Sequence, residues 1–434
     1  MKIEELYQKC AKHLDVTTDS RNVKPGSIYI ALKGDRFDGN AFAAEALERG
    51  AEFAIIDNKA YAIDHRTILV ENTYETLNKL ANYHRHKLHI PIIAITGTNG
   101  KTTTKELIRA VLSQQFHVYA TAGNLNNHIG VPLTLLTMTP EIEIGVVEMG
   151  ANHPNEIKHL CHIAEPDFGL ITNIGKAHLE GFGGYEGVIR AKKELYDFLT
   201  AKEGTIFYNS DNTLLTSLLS KDYVKLVPYG LSSGSRFVGK ITGIDPYLQV
   251  AIELVDHKAN ATNIATNLVG EYNIENVLAA ICIGLYFNIS IQKIKTAIEG
   301  YIPTNNRSQL TNTGKNRLLL DHYNANPSST EVAINNFLKL EGTHKVIVLG
   351  DMLELGIESE TEHERILKLL GGLHNVQVLL VGKNYKALAP KHGFKAFLNS
   401  EELRTWLADD PIDQSFVLIK GSRGIQLEKI IDML

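Results

Sequence analysis

Three α/β domains, the middle one built on a mostly parallel sheet, are what this sequence predicts. The first observation is length: 434 residues exceed one ordinary core, and division by about 150 suggests roughly three domains. The second is pattern, since short β-branched runs alternate with segments whose apolar residues recur at helical spacing. The third is a strand, a glycine loop and a helix in direct succession at Ile92–Thr104.

Composition narrows the class. A 44% hydrophobic and 21% charged content is that of a globular protein. With 44 basic and 49 acidic residues, the net charge of −5 leaves no footprint for nucleic acid. No lysine/arginine run suits a membrane surface, and no window nears the roughly 18 apolar residues of a span. Cys10, Cys161 and Cys282 are scattered and odd in number, which speaks against a disulfide framework and fits a reducing compartment. Met1–Asp15 has no apolar core, so no signal peptide is expected. A cytoplasmic protein is expected.

Residues 1–88 read as a small α/β domain with strands at Ser27–Leu32, Phe53–Ile56 and Thr67–Val70 and a helix around Ala41–Arg49. Thr17–Arg21 and Lys33–Gly39 are polar turns beside strands, as in a small-ligand site, although such turns are usually solvated loops. Three histidines crowd the stretch His84–His89. A solvated helix end with cations near its C-terminus explains them better than a metal site. A hinge is expected at His89–Ile90.

Residues 89–306 carry the glycine loop Gly97-Thr98-Asn99-Gly100-Lys101-Thr102-Thr103. A chain wrapping a polyphosphate must turn sharply and present backbone N–H groups, hence Gly97 and Gly100. The new helix's free N–H groups favour the anion. Lys101 would reach the β/γ-phosphates and the Thr102 hydroxyl would sit on Mg²⁺. The general pattern places its first glycine where Ile95 stands, so this is a shorter form of the loop. ATP and Mg²⁺ are the expected cofactors, and the domain is expected to be P-loop ATPase-like, with helices on both faces of its sheet. Further strands are expected at Gly145–Glu148, Phe168–Asn173 and Thr205–Asn209. Phe237–Thr242, Leu248–Val255 and Asn263–Leu268 alternate as an antiparallel meander, before a helix at Asn273–Leu285.

Glu148 ends a buried strand, where ligands of open α/β sheets sit; unpaired it would be costly, so a cationic partner is expected. His178 follows the next strand, and Lys192 and Lys193 lie on the helix after it. Thr102, Glu148 and His178 have the mixed oxygen and nitrogen character of a Mg²⁺ or Mn²⁺ site. His159, Cys161 and His162 complete no closed zinc set. Glu362-His363-Glu364 suits an exposed helix face.

A second hinge is expected at Pro303–Asn306. Residues 307–434 then read as a Rossmann-like α/β domain with strands at Arg317–Leu320, Lys345–Leu349, Val376–Val381 and Phe416–Ile419.

Together the motifs resemble those of the Mur ligases over essentially the whole chain. They are Thr96–Thr103, Gly123–Pro132, Glu148–His153, Ala177–Gly183, Asn273–Ala280, Asp321–Pro327, Leu349–Gly356 and Lys420–Arg423. The Tyr-Asn-Ala-Asn-Pro and Gly-Asp-Met-Leu-Glu-Leu-Gly runs favour the branch that adds D-alanyl-D-alanine. The Asp-Asn-Pro-Arg motif of the tripeptide-forming branch is missing from the last domain.

The resemblance implies an ADP-forming ligase of peptidoglycan synthesis that joins D-alanyl-D-alanine to a UDP-N-acetylmuramoyl-tripeptide through an acyl phosphate. It would act as a monomer with no nucleic-acid or membrane partner. Lys101 and Thr102 would hold phosphates and metal, Glu148 and His178 would be metal ligands, and Lys192 matches a lysine that the family carbamylates. Asn276 would face adenine, while Arg307, Asp321 and Asn324 would reach the nucleotide. Ser20 and Arg21 would meet uridine, and Asn124 and Asn127 the sugar-nucleotide. Lys193 stands where the family has glycine, Tyr272 where it has histidine, Leu320 where an acid often precedes Asp321, and Gly424 where a serine is common. A related ligase adding a single amino acid, as in folylpolyglutamate synthesis, is the nearest alternative. A nucleotide switch without ligase chemistry would leave Glu148, His178 and Asp321 without a purpose.

Overall fold

Ile92–Thr96 is buried along its whole length, and its alternating side chains divide the middle of the protein into two cores. Ile92 and Ala94 face one apolar cluster with Leu135, Leu160 and Leu195, whereas Ile93 and Ile95 face another with Leu107, Ile108 and Val277. A strand apolar on both sides needs helices on both sides. The computed structural model describes residues 2–10, 14–232, 237–255, 261–304 and 307–434.

The central sheet has the spatial order Leu226–Tyr229, Thr205–Asn209, Phe168–Ile171, Ile92–Thr96, Ile144–Glu148, Val118–Ala120. All its pairings are parallel. The expected meander is present as Phe237–Gly243, Gln249–Leu254 and Thr262–Ala265, paired antiparallel. It sends Phe237, Val250, Ile252 and Ile264 into the second core.

In the first sheet Val16–Thr17, Ile28–Ile30, Phe53–Ile56 and Thr67–Leu69 pair in parallel. In the third the order is Gln309–Asn312, Arg317–Leu320, Phe416–Lys420, Lys345–Gly350, Val376–Val381, Lys395–Phe397. Only its first pair is antiparallel. The strands that sequence patterning misses are Val16–Thr17, Val118–Ala120, Leu226–Tyr229, Gln309–Asn312 and Lys395–Phe397, all at the edges of the three main sheets, and Lys33–Gly34 with Phe37–Asp38, an antiparallel pair of their own within the expected polar turn. Edge strands are short and half-wet, so they need little apolar periodicity.

The helix Thr73–Leu88 opens on an Asn72 side-chain cap and joins the first sheet to the middle of the protein. Its end is not wholly solvated, which corrects the expectation. His86, Lys87 and His89 are exposed, but His84 and Arg85 are buried. His84 is held between the Tyr7 hydroxyl at 2.9 Å and the Met138 carbonyl at 2.7 Å. Arg85 donates to the carbonyls of Ala164, Ile90 and Glu165 and, at 2.8 Å, to the Asp167 carboxylate. A fork of donors that meets this many acceptors can be buried. His89 leaves the helix in the left-handed region at φ 51°, where the first hinge is expected. Asn305 and Asn306 of the second lie outside the described residues.

Candidate active site

The phosphate loop leaves Ile92–Thr96 and enters the helix Lys101–Leu112. Its glycines are required by space as well as by backbone angle. A Cβ at Gly97 (φ +146°) would lie 2.0 Å from the Thr172 hydroxyl, and one at Gly100 (φ +80°) 2.6 Å from Asn276 Oδ1. Neighbouring chain holds the loop open. The Asn99 N–H donates to Asn173 Oδ1 at 2.9 Å, the Thr98 N–H to the Asn173 carbonyl at 2.9 Å, and the Thr172 hydroxyl to the Asn99 carbonyl at 2.6 Å. Lys101 folds back across the loop to the carbonyls of Gly97 and Thr98, at 2.8 and 3.1 Å. Dense protein around its ammonium brings its pKa down to about 8; Glu148 opposes that shift and Arg307 adds to it.

Glu148 is 1% exposed. Its carboxylate accepts from the Thr102 hydroxyl at 3.0 Å and from the Asn126 amide at 2.8 Å. The expected cation is Lys105, whose Nζ lies 4.0 Å away on the same helix as Thr102. Lys192, on the helix Tyr185–Ala201, is 3% exposed and lines the same cavity. It sits 5.5 Å from the Phe182 ring centroid with no hydrogen-bond partner among the described residues. Burial first, then the nearby Lys101, lowers its pKa to about 7. Lys193 instead turns outward to Asp197. His178 lines the cavity, with Nδ1 close against the Glu354 carboxylate but without the alignment of a hydrogen bond. Among the described residues no three His, Cys, Asp or Glu side chains converge as a metal-holding group.

The remaining predicted residues are split. Asn276 accepts from the Thr104 hydroxyl and donates to Asn273 Oδ1, both at 2.9 Å, which fixes it at the cavity wall. Arg307 stacks on Tyr323 at 4.0 Å from the ring centroid, and its Nε has no hydrogen-bond partner among the described residues. Asp321 accepts from Lys420 at 2.7 Å and from the Ser308 N–H at 3.2 Å. These groups, with Asn124, Asn127 and Asn324, line a cavity of about 1270 Å³ to which the first 88 residues add Tyr74. Thr102 meets the site through Glu148 and is not itself a wall residue. Ser20 and Arg21 are not brought to the cavity. Arg21 forks onto Asp19 at 2.9 and 2.8 Å, and Ser20 is buried in the turn.

Sequence reasoning missed the residues that join the third sheet to the phosphate loop. Asn326 donates to Asn99 Oδ1, and the Lys176 N–H donates to the Ser328 hydroxyl at 3.0 Å. Asn326-Pro327-Ser328-Ser329 was readable as a helix start: the structure shows a capping box there. The exposed-face expectation for Glu362-His363-Glu364 is overturned. Glu362 is 2% exposed and His363 is fully buried. Glu362 accepts from Lys176 at 2.6 Å and from Arg365 at 2.8 Å. Burial would raise its carboxyl, and these two cations carry it below the ordinary value instead. His363 accepts from the Met352 N–H at 3.1 Å.

The models of the Mur ligase family, catalytic domain, the Mur ligase middle domain and the Mur ligase glutamate ligase domain match residues 15–88, 95–284 and 306–423. UDP-N-acetylmuramoyl-tripeptide–D-alanyl-D-alanine ligase of Bacillus subtilis is 33% identical, covering 98% of this chain and 93% of that protein. The chain belongs to the Mur ligase family. Among solved members, the crystal structure of MurF from Acinetobacter baumannii has a TM-score of 0.85 at 30% identity, over 96% of this chain and 92% of that one. MurF ligase from Thermotoga maritima, in complex with ADP, has a TM-score of 0.83 at 27% identity, over 97% of both chains. The resemblance read from the motifs therefore holds for family and fold.

Proposed function

We propose that this Mur ligase joins D-alanyl-D-alanine to the terminal carboxylate of a UDP-N-acetylmuramoyl-tripeptide, cleaving ATP to ADP and phosphate. The observation that carries the reading is one cavity walled by the phosphate loop, Glu148 and Lys192 on one side and by Arg307, Asp321 and Lys420 on the other. A peptide carboxylate would attack the γ-phosphate to give an acyl phosphate, and the dipeptide amine would then displace phosphate. Charge spreads over the transferring oxygens, so catalysis rests on positioning and on donors such as Lys101 and the loop N–H groups. Water would destroy the acyl phosphate, so a site closed between domains serves the chemistry.

Glu148 and Thr102 suit Mg²⁺, a hard cation that takes one or two protein oxygens beside substrate phosphates. The ion, when bound, would neutralise phosphate charge. His178 and Lys192 would be its further protein ligands. Lys192 fits carbamylation, because a pKa near 7 leaves much of the amine neutral at neutral pH. Addition of CO₂ to that amine forms an N–C bond, releases a proton and replaces a cation with an anionic oxygen. Asn276 would face adenine, and Arg307, Asp321 and Asn324 would position the nucleotide. Asn124 and Asn127 would meet the sugar-nucleotide, and Ser20 and Arg21 would meet uridine on resemblance alone.

The proposed domains are 1–88 for the UDP-sugar, 89–306 for ATP and 307–434 for ligation. We place the reaction in the cytoplasm, in keeping with three free, buried cysteines and with no helix among the described residues long and apolar enough to cross a membrane. A coupled ADP-release assay with UDP-muramoyl-tripeptide tests the function. D-alanyl-D-alanine should support turnover, and single amino acids should not. Turnover with a single amino acid alone would overturn it.

A further inference from the structure

Lys176 and Glu362 belong to different sheets' surroundings and 186 residues separate them, yet their side chains meet at 2.6 Å. Lys176 lies on the loop between the strand Phe168–Ile171 and the helix Leu179–Phe182. Glu362 lies on the helix Ser359–Gly371 of the third domain. Three further contacts fall on the same loop or on the helix that follows it: Ser328 takes the Lys176 N–H, Glu354 touches His178, and Gly356 packs against the Glu180 side chain. The loop in turn touches the phosphate loop, since the Gly175 N–H donates to the Thr98 hydroxyl at 2.9 Å. A short path therefore runs from Glu362 through Lys176 and Gly175 to Thr98. Arg365 holds the other Glu362 oxygen at 2.8 Å from one turn away. That second cation keeps Glu362 paired when Lys176 leaves, so the contact can open and close without stranding a charge.

We infer that the Lys176–Glu362 ion pair is the clasp that seats the third domain on the phosphate loop, which makes both side chains positioning residues for the ligation. The inference rests on the ligase reading above. Neither side chain touches the phosphate-binding groups. Losing the clasp should therefore spare nucleotide binding and impair the step that needs the domains together. The acyl phosphate would then be exposed to water, and ADP would form without a matching amide bond.

The test compares the full-length chain with Lys176→Ala, Glu362→Gln and Lys176→Arg; charge reversal at Glu362 is avoided because it would press a cation against Arg365. With UDP-muramoyl-tripeptide and D-alanyl-D-alanine, the two neutral variants should each lower kcat by about 10-fold, leave the KM for ATP within about twofold, and form at least about twice as much ADP per amide bond. Lys176→Arg, which keeps the cation, should hold both readouts near the parent. In parallel, the radius of gyration with ADP and Mg²⁺, from solution scattering, should rise in the two neutral variants and stay at the parent value in Lys176→Arg. Unchanged ADP-to-amide ratio and size in the neutral variants, or a loss in Lys176→Arg as large as in Lys176→Ala, would overturn the clasp. An absence of amide product from the parent chain would instead sink the ligase reading, while the scattering still judges the clasp.

Discussion

Asn326 donates its side-chain amide to Asn99 Oδ1 at 2.8 Å, so the cap of a third-domain helix rests directly on the phosphate loop. Residues 227 positions apart in sequence thereby share one hydrogen bond. That contact joins the loop after the central strand Ile92–Thr96 directly to the third domain.

Lys101→Ala removes a side chain that arches over the loop. Peptide-dependent ATP cleavage should fall by roughly 10²- to 10³-fold, as for loss of a preorganised donor to a developing charge. The coupled ADP-release assay reads it, and an unchanged rate would show that the phosphate is held elsewhere.

Lys192 and Lys193 are neighbours, but only the former is buried in the cavity wall. Enzyme stripped of CO₂ should lose activity and regain it on adding bicarbonate. Lys192→Ala should be at least about 100-fold slower and insensitive to bicarbonate, with Lys193→Ala close to the parent. Bicarbonate-independent activity of the stripped parent would refute carbamylation.

Glu275 lines the cavity beside Asn276, and burial, with Asp211 nearby, raises its pKa from 4.5 to about 7. Between those values the folded protein holds a proton that the unfolded chain has already lost. The contribution is therefore present at low pH and declines as pH rises through that window. Glu275→Gln should remove the decline and leave the variant more stable at pH 8, on the order of 1–3 kcal/mol. Urea unfolding at pH 5 and pH 8 measures it; parallel profiles for parent and variant would count against the shift.

Arg85 ties the helix Thr73–Leu88 to the segment Ala164–Asp167 through four acceptors with Ile90 among them. Arg85→Ala should cost about 2–4 kcal/mol, because several buried carbonyls lose their donor at once. A urea midpoint within the scatter of surface substitutions would mean that water replaces the guanidinium without penalty.

The central strands, the glycine loop and the position of Glu148 at a strand end were legible because each is a property of one continuous segment. β-branched runs, Gly-Lys-Thr and helical spacing act over about a dozen residues, and they carry the same meaning whatever packs nearby. The resemblance of the motifs supplied the family, and the chemistry of the glycine loop points to ATP from its residues alone.

Burial of charge was not legible in this way. Glu362, His363, His84 and Arg85 all look like surface residues in sequence; Glu362, His84 and Arg85 are met by segments far along the chain, and His363 by the loop at Met352 that precedes its own helix. Nor does local pattern tell Lys192 from Lys193, which differ by a rotation of about 100° on one helix. Whether a charged side chain can leave water depends on the partners that distant segments bring to it. Those partners, Lys176 for Glu362 and Asp167 for Arg85, are assembled only when the sheets and helices pack together.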